Sequence, residues 1–117
     1  MEILTLESFK AKIFDFEKNK EWKFTGTRPA IIDFYADWCG PCRALAPVLE
    51  EISKEFAGRV DVYKVDTDKS PELAALFQVR SIPTVLFVPM QGEPGLANGY
   101  MPPESFRRAI QDLFGIS

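Results

Sequence analysis

Residues Ala30-Ile31-Ile32-Asp33-Phe34-Tyr35-Ala36 form an almost unbroken apolar, β-favouring run. A strand with one wet face alternates apolar and polar residues, so a run without alternation reads as a central strand covered on both faces. Helices must therefore lie on both sides of whatever sheet contains it. The rest of the chain supplies them in a regular order.

Ile3 and Leu4 suggest a short opening strand, and Thr5 can cap a helix carrying Phe9, Ile13 and Phe14 on one face. The segment from Asp15 to Arg28 reads as a long polar connection in which Trp22 and Phe24 alternate as in a short extended piece. After the central run, a helix is predicted from Cys39 to Phe56, with Leu45, Val48, Leu49, Ile52 and Phe56 on one face and Gly58 as its stop. Pro47 lies inside it and predicts a kink, because proline lacks the amide hydrogen and crowds the carbonyl of Arg43. Val60 to Val65 alternates as a strand; Pro71 opens a short helix bearing Leu73, Leu76 and Phe77. Thr84 to Val88 is a further strand, Leu96 to Tyr100 an edge strand, and Pro103 to Phe114 a helix bearing Phe106, Ile110 and Leu113. The order βαβαβαββα predicts an α/β protein, a mixed sheet between helices, as one domain over residues 1–117.

The chain has 117 residues, enough for one core without metals or several disulfides to staple it. Seventeen acidic residues outnumber 14 basic ones and no basic stripe stands out, so nucleic acid is not an expected partner. No apolar run approaches membrane-spanning length, and the start, Met1-Glu2-Ile3-Leu4, has no signal-peptide pattern. A cytoplasmic protein is expected; an exported or periplasmic one whose signal has been removed is the alternative.

There is no histidine, and the only two cysteines, Cys39 and Cys42, are three residues apart. Neither a cysteine–histidine catalytic pair nor a four-ligand zinc site of the usual kind can be assembled in one chain, so no metal or cofactor is expected. Thiol–disulfide exchange needs one thiolate to attack a disulfide and a second thiol to break the mixed disulfide that results. Residues three apart in the first turn of a helix lie within bridging distance, and the unpaired amides and dipole there favour negative charge on Cys39. The competing readings are a structural staple, weak because so short a loop constrains the unfolded chain little, and half of a metal site shared between two chains.

Asp37-Trp38-Cys39-Gly40-Pro41-Cys42-Arg43 after an apolar strand, with Pro47 downstream and Ser81-Ile82-Pro83-Thr84 later, resembles the thioredoxin family over about residues 3 to 114. The resemblance implies the thioredoxin fold, a central mixed five-stranded sheet flanked by four helices. It implies a protein-disulfide reductase in which Cys39 is the nucleophile, Cys42 resolves, and the two close a Cys39–Cys42 disulfide. Gly40 and Pro41 resemble the reductive members, since oxidising and isomerising relatives usually carry a histidine between the cysteines. Pro83 matches the family's cis-proline, beside the cysteine pair; an ordinary trans proline opening a strand is the alternative. Asp33, a carboxylate in the most apolar strand, should have a raised pKa. The resemblance makes it the proton acceptor for Cys42, tuned by Lys64 in the neighbouring strand, although strand lysines commonly point to solvent. Trp38, Gly40, Pro41, Ile82, Pro83 and Gly99 match the rim on which the family docks its substrates.

The implied partners are protein disulfides and a thioredoxin reductase or other dithiol donor, with the chain a monomer. Two further readings are an exported relative with dedicated partners and a membrane electron donor, and a thioredoxin-fold binding subunit that does not use its thiols. Four features depart from the family pattern: Tyr35 in place of tryptophan, Ser81 in place of glycine, the long turn from Pro89 to Gly95, and the segment from Asp15 to Arg28. They bear on partner choice.

A lowered thiol pKa accounts for little reactivity by itself. Moving from ~8.5 to ~7, the value established for thioredoxin, raises the thiolate fraction at pH 7 about 16-fold. A Brønsted slope near ~0.5 removes a factor of about 5, leaving ~3-fold. Presentation of Cys39 and the high effective concentration of Cys42 must supply the rest.

Overall fold

The computed structural model describes residues 1–117. Its elements are β1 (Glu2–Ile3), α1 (Leu6–Lys12), β2 (Ala30–Tyr35), α2 (Gly40–Glu55), β3 (Asp61–Asp66), α3 (Pro71–Leu76), β4 (Thr84–Val88), β5 (Gly95–Asn98) and α4 (Pro103–Phe114). They form one five-stranded sheet in the order β1-β3-β2-β4-β5. β1, β3 and β2 run parallel, whereas β4 and β5 are antiparallel to their neighbours.

All six residues of β2 are buried, as the unalternating run requires. Ile31 faces a core built with Leu45, Leu49 and Ile52 of α2, Val62, Val85 and Phe87 of the sheet, and Phe106 and Ile110 of α4. Ala30, Ile32 and Phe34 face the other core, with Leu4, Phe9, Ile13, Phe14, Val65, Leu73, Leu86 and Val88. Period-2 geometry therefore directs Asp33 and Tyr35 to the same side as Ile31, under α2.

Thr5 caps α1 as predicted, in a capping box with Ser8: Ser8 N–H donates to Thr5 Oγ1 at 3.1 Å and Thr5 N–H donates to Ser8 Oγ at 2.8 Å. α2 continues unbroken through Pro47. Four expectations are corrected. Leu4 lies beyond β1, although its N–H still donates to the Lys64 carbonyl at 2.8 Å. β5 ends at Asn98 because Gly99 takes φ +87°, a left-handed conformation that stops the ladder. Leu113 is 51% exposed; Phe114, one residue on, is the one that packs against Phe87, at 6.2 Å between ring centroids.

The fourth concerns Asp15–Arg28, whose Trp22 and Phe24 form no strand. Its aromatic residues instead join the second core. Trp22 lies 5.0 Å from Phe14 and 6.1 Å from Phe77, and Phe16 lies 6.2 Å from Phe9. Thr25 N–H donates to the Ile13 carbonyl at 2.9 Å, closing the segment back on the end of α1. The polar residues Lys18, Lys20, Glu21 and Lys23 stay outside.

Candidate active site

β2 ends at Tyr35 and the chain turns through Ala36, Asp37 and Trp38 into the first turn of α2. Cys39 is the N-cap, with φ −91° and ψ 112°, and its sulfur accepts the Cys42 N–H at 3.2 Å. Pro41 suits this first turn because its missing N–H would have had no helical partner. Cys39 and Cys42 are joined as a disulfide with Cα atoms 5.2 Å apart. Both cysteines are buried, at 5% and 4% exposure, so accessibility does not distinguish them. What does is the cap: Cys39 Sγ receives a backbone N–H and the positive end of α2, and Cys42 Sγ does not.

A second loop closes against the pair. The Ile82–Pro83 bond is cis, and Ile82 packs on the cluster of Tyr35, Ala36, Cys39 and Cys42. The buried Thr84 hydroxyl donates to the Ser81 carbonyl at 2.6 Å and lies 3.0 Å from the Asn98 side-chain amide. Gly99 N–H donates to the Pro83 carbonyl at 2.8 Å. A Cβ at Gly40 or Gly99 would meet nothing within 4 Å, which leaves open space between the cysteines in sequence and next to the cis-proline. Trp38 is 68% exposed and is held by Nε1–H donating to Asp68 Oδ2 at 2.9 Å. With Thr67, Ala74, Val79, Arg80, Ser81 and Ile82 it lines a groove of about 190 Å³. Asp68, thirty residues from Trp38, carries no sequence signal for this contact.

Beside Cys42 lies a cavity of about 140 Å³ bounded also by Asp33, Tyr35, Ala36, Asp37, Arg43, Ala46 and Lys64. Asp33 is 1% exposed and its Oδ1 has no hydrogen-bond partner. Burial pushes its carboxyl up to about 6, against a smaller lowering by Lys64. Lys64 is the register partner of Asp33 across β2 and β3, yet its Nζ stands over the Tyr35 ring, 4.2 Å from the centroid. It neither pairs with Asp33 nor extends freely into water. Such a cation–π contact contributes roughly 0.5–2 kcal/mol. Tyr35 is 8% exposed and belongs to the cysteine cluster, so its departure from the family pattern falls beside the cysteines.

The family model for thioredoxin matches residues 3–112. The chain belongs to the thioredoxin family. It is 48% identical over 112 residues to the thioredoxin of Borreliella burgdorferi, covering 96% of each chain. It is 44% identical over 81 residues to the thioredoxin of Staphylococcus haemolyticus, covering 68% of this chain and 77% of that one. The solved structure of chloroplastic thioredoxin z superimposes with a TM-score of 0.80 at 27% identity, covering 97% of this chain and 93% of that one. With its close cysteine pair this member of the family is a thiol–disulfide oxidoreductase of the protein-disulfide reductase type. As such it acts on disulfide substrates and is itself re-reduced by a reductase partner. No helix is long and apolar enough to cross a membrane.

Proposed function

We propose that residues 1–117 act as a single-domain, monomeric protein-disulfide reductase with the following division of labour. The Cys39 thiolate attacks one sulfur of a substrate disulfide, forming the Cys39–substrate bond and breaking the substrate S–S bond, whose other sulfur leaves as a thiolate and takes a proton from water. Cys42 loses its proton to Asp33 through the shared cavity and attacks Cys39 Sγ. The second substrate thiol leaves, and the protein is left with the Cys39–Cys42 disulfide. The electron pair that reduced the substrate has come from the two thiols. A dithiol donor such as thioredoxin reductase reverses the cycle.

The observation that carries this assignment is the cap geometry: the sulfur that accepts the Cys42 amide is the one suited to hold the negative charge. Asp33 is suited to the proton because it is unpartnered, lines the same cavity as Cys42, and titrates near neutrality. The cavity has room for a few waters to carry the proton between them. Lys64 tunes that carboxyl through its charge. Trp38, Gly40, Pro41, Ile82, Pro83 and Gly99 form the docking rim, where the open space at the two glycines lets an extended segment approach. A dithiol enzyme of this type operates in a reducing compartment, which supports the cytoplasm.

Replacing Cys42 with serine removes the resolving thiol, so mixed disulfides should accumulate on Cys39 and identify the substrates. Recovery of no trapped protein would overturn the assignment. The wild-type protein supplied with a dithiol should also reduce insulin faster than the dithiol alone.

A further inference from the structure

We propose that Tyr35 is a positioning residue for the proton step: its ring seats the Lys64 ammonium away from the Asp33 carboxyl, leaving that carboxyl unpaired in the cavity it shares with Cys42. The inference rests on the reading of Asp33 as the acceptor of the Cys42 proton.

Asp33 and Lys64 are opposite each other in adjacent strands and on the same face of the sheet, where a lysine readily reaches a carboxylate. No ion pair joins them: Asp33 Oδ1 is without a partner and Lys64 Nζ sits 4.2 Å from the Tyr35 ring centroid. Tyr35 lies two residues after Asp33 on that face and is fixed in the cluster with Cys39 and Cys42. The other charged groups around the cavity are Asp37, in the turn before α2, and Arg43, in the first turn of α2. Arg43 is turned to the Asp37 carbonyl, to which its Nη1 donates at 2.9 Å. Asp66, further along β3, accepts the Asp68 and Lys69 N–H groups. On the β4 side the register partner of Asp33 is Val85, which is apolar and fully buried. Lys64 is therefore the cation available to neutralise Asp33, and the Tyr35 ring occupies it. A carboxylate paired to an ammonium holds its charge to lower pH and is a weaker base. Left unpaired, the buried Asp33 carboxyl keeps the raised value, about 6, that burial gives it.

The test follows the Asp33 carboxyl carbon by NMR against pH in the oxidised full chain, for wild type, Tyr35→Phe and Tyr35→Leu, each with and without Lys64→Met. Phenylalanine keeps the ring, so its midpoint should match wild type. Leucine frees the ammonium, and the midpoint should fall by about one pH unit, a tenfold change in ionisation constant. That fall should vanish when Lys64 is already methionine. An unchanged midpoint in Tyr35→Leu overturns the proposal. So does an equal fall in the methionine background, which would mark hydration of the enlarged cavity as the cause. Should Tyr35→Leu not fold, the wild-type protein still decides. Ring-current shielding should place the Lys64 ε-methylene protons upfield of those of the other lysines, and ordinary positions refute the seat. Because Cys42 carries no proton in the oxidised protein, these outcomes do not depend on the relay. The relay is tested separately by Asp33→Asn, which should slow resolution of the mixed disulfide above about pH 6; an unaltered rate would remove that reading and leave the titration result standing.

Discussion

Asp33 is a carboxyl in apolar surroundings, and its cost to the fold depends on pH. Its folded value, about 6, lies above the ordinary 3.8, so burial disfavours the charged form. The penalty is complete above about pH 6 and absent below about pH 4, and between them the native state loses stability as pH rises. At about 1.4 kcal/mol per pK unit the full penalty is at most about 3 kcal/mol. Asp33→Ala should therefore unfold in urea with a stability about 2 kcal/mol greater than wild type at pH 8, after the small gap left by the carboxyl is counted. The gain should disappear at pH 3.5. A gain that persists at low pH would locate the effect in packing instead of charge. Asp33 was legible in the sequence because a lone acid stands out in an apolar strand. The seat of Lys64 was not, since strand spacing gives a face but no side-chain path, and an aromatic ring can capture an ammonium that register alone would assign to a carboxylate.

Among the elements, α1 and the segment after it show how local chemistry and distant packing divide the work. The Thr5–Ser8 capping box is a local device, so Thr5→Ala should lower stability by about 1 kcal/mol in thermal unfolding with no change in the reductase rate. The segment from Asp15 to Arg28 depends on packing, because Trp22 bridges Phe14 and Phe77. Trp22→Ala should cost about 2–3 kcal/mol, below the range for a fully buried aromatic because Trp22 is only half-buried. Insulin reduction below the melting temperature should be unaffected; a lost rate in the folded variant would show that the segment serves substrates. Its composition suggested a solvated connection, and no local pattern reveals that spaced aromatics close on rings from α1 and α3. Element order and type, by contrast, were readable throughout, since apolar periodicity and Gly/Pro punctuation are local signals. The errors at Leu4, Leu113 and the end of β5 arose at boundaries, where a partner strand or a competing neighbour such as Phe114 decides.

Across the whole molecule, the strand directions gather the chemistry at one end of the sheet. β2 runs toward Cys39, and β4 starts beside it, with Thr84 opposite Phe34. Val88 therefore pairs with Ala30 at the far end, and the turn from Pro89 to Pro94 leaves the sheet there. Gln91, Gly92 and Glu93 are exposed at its tip, and Gly92 has φ +88°. A turn so placed can be lengthened cheaply, since each doubling of a flexible loop costs only about 0.6 kcal/mol. Ten Gly/Ser residues inserted between Gly92 and Glu93 should leave insulin reduction at the wild-type rate and the melting temperature within a few degrees. A collapse in rate would mean that this pole communicates with the cysteines. The protein thus has a working end and a handling end: an affinity tag, fluorophore or grafted epitope carried on the tip at Gly92 would ride on the reductase without standing in the path of its substrates.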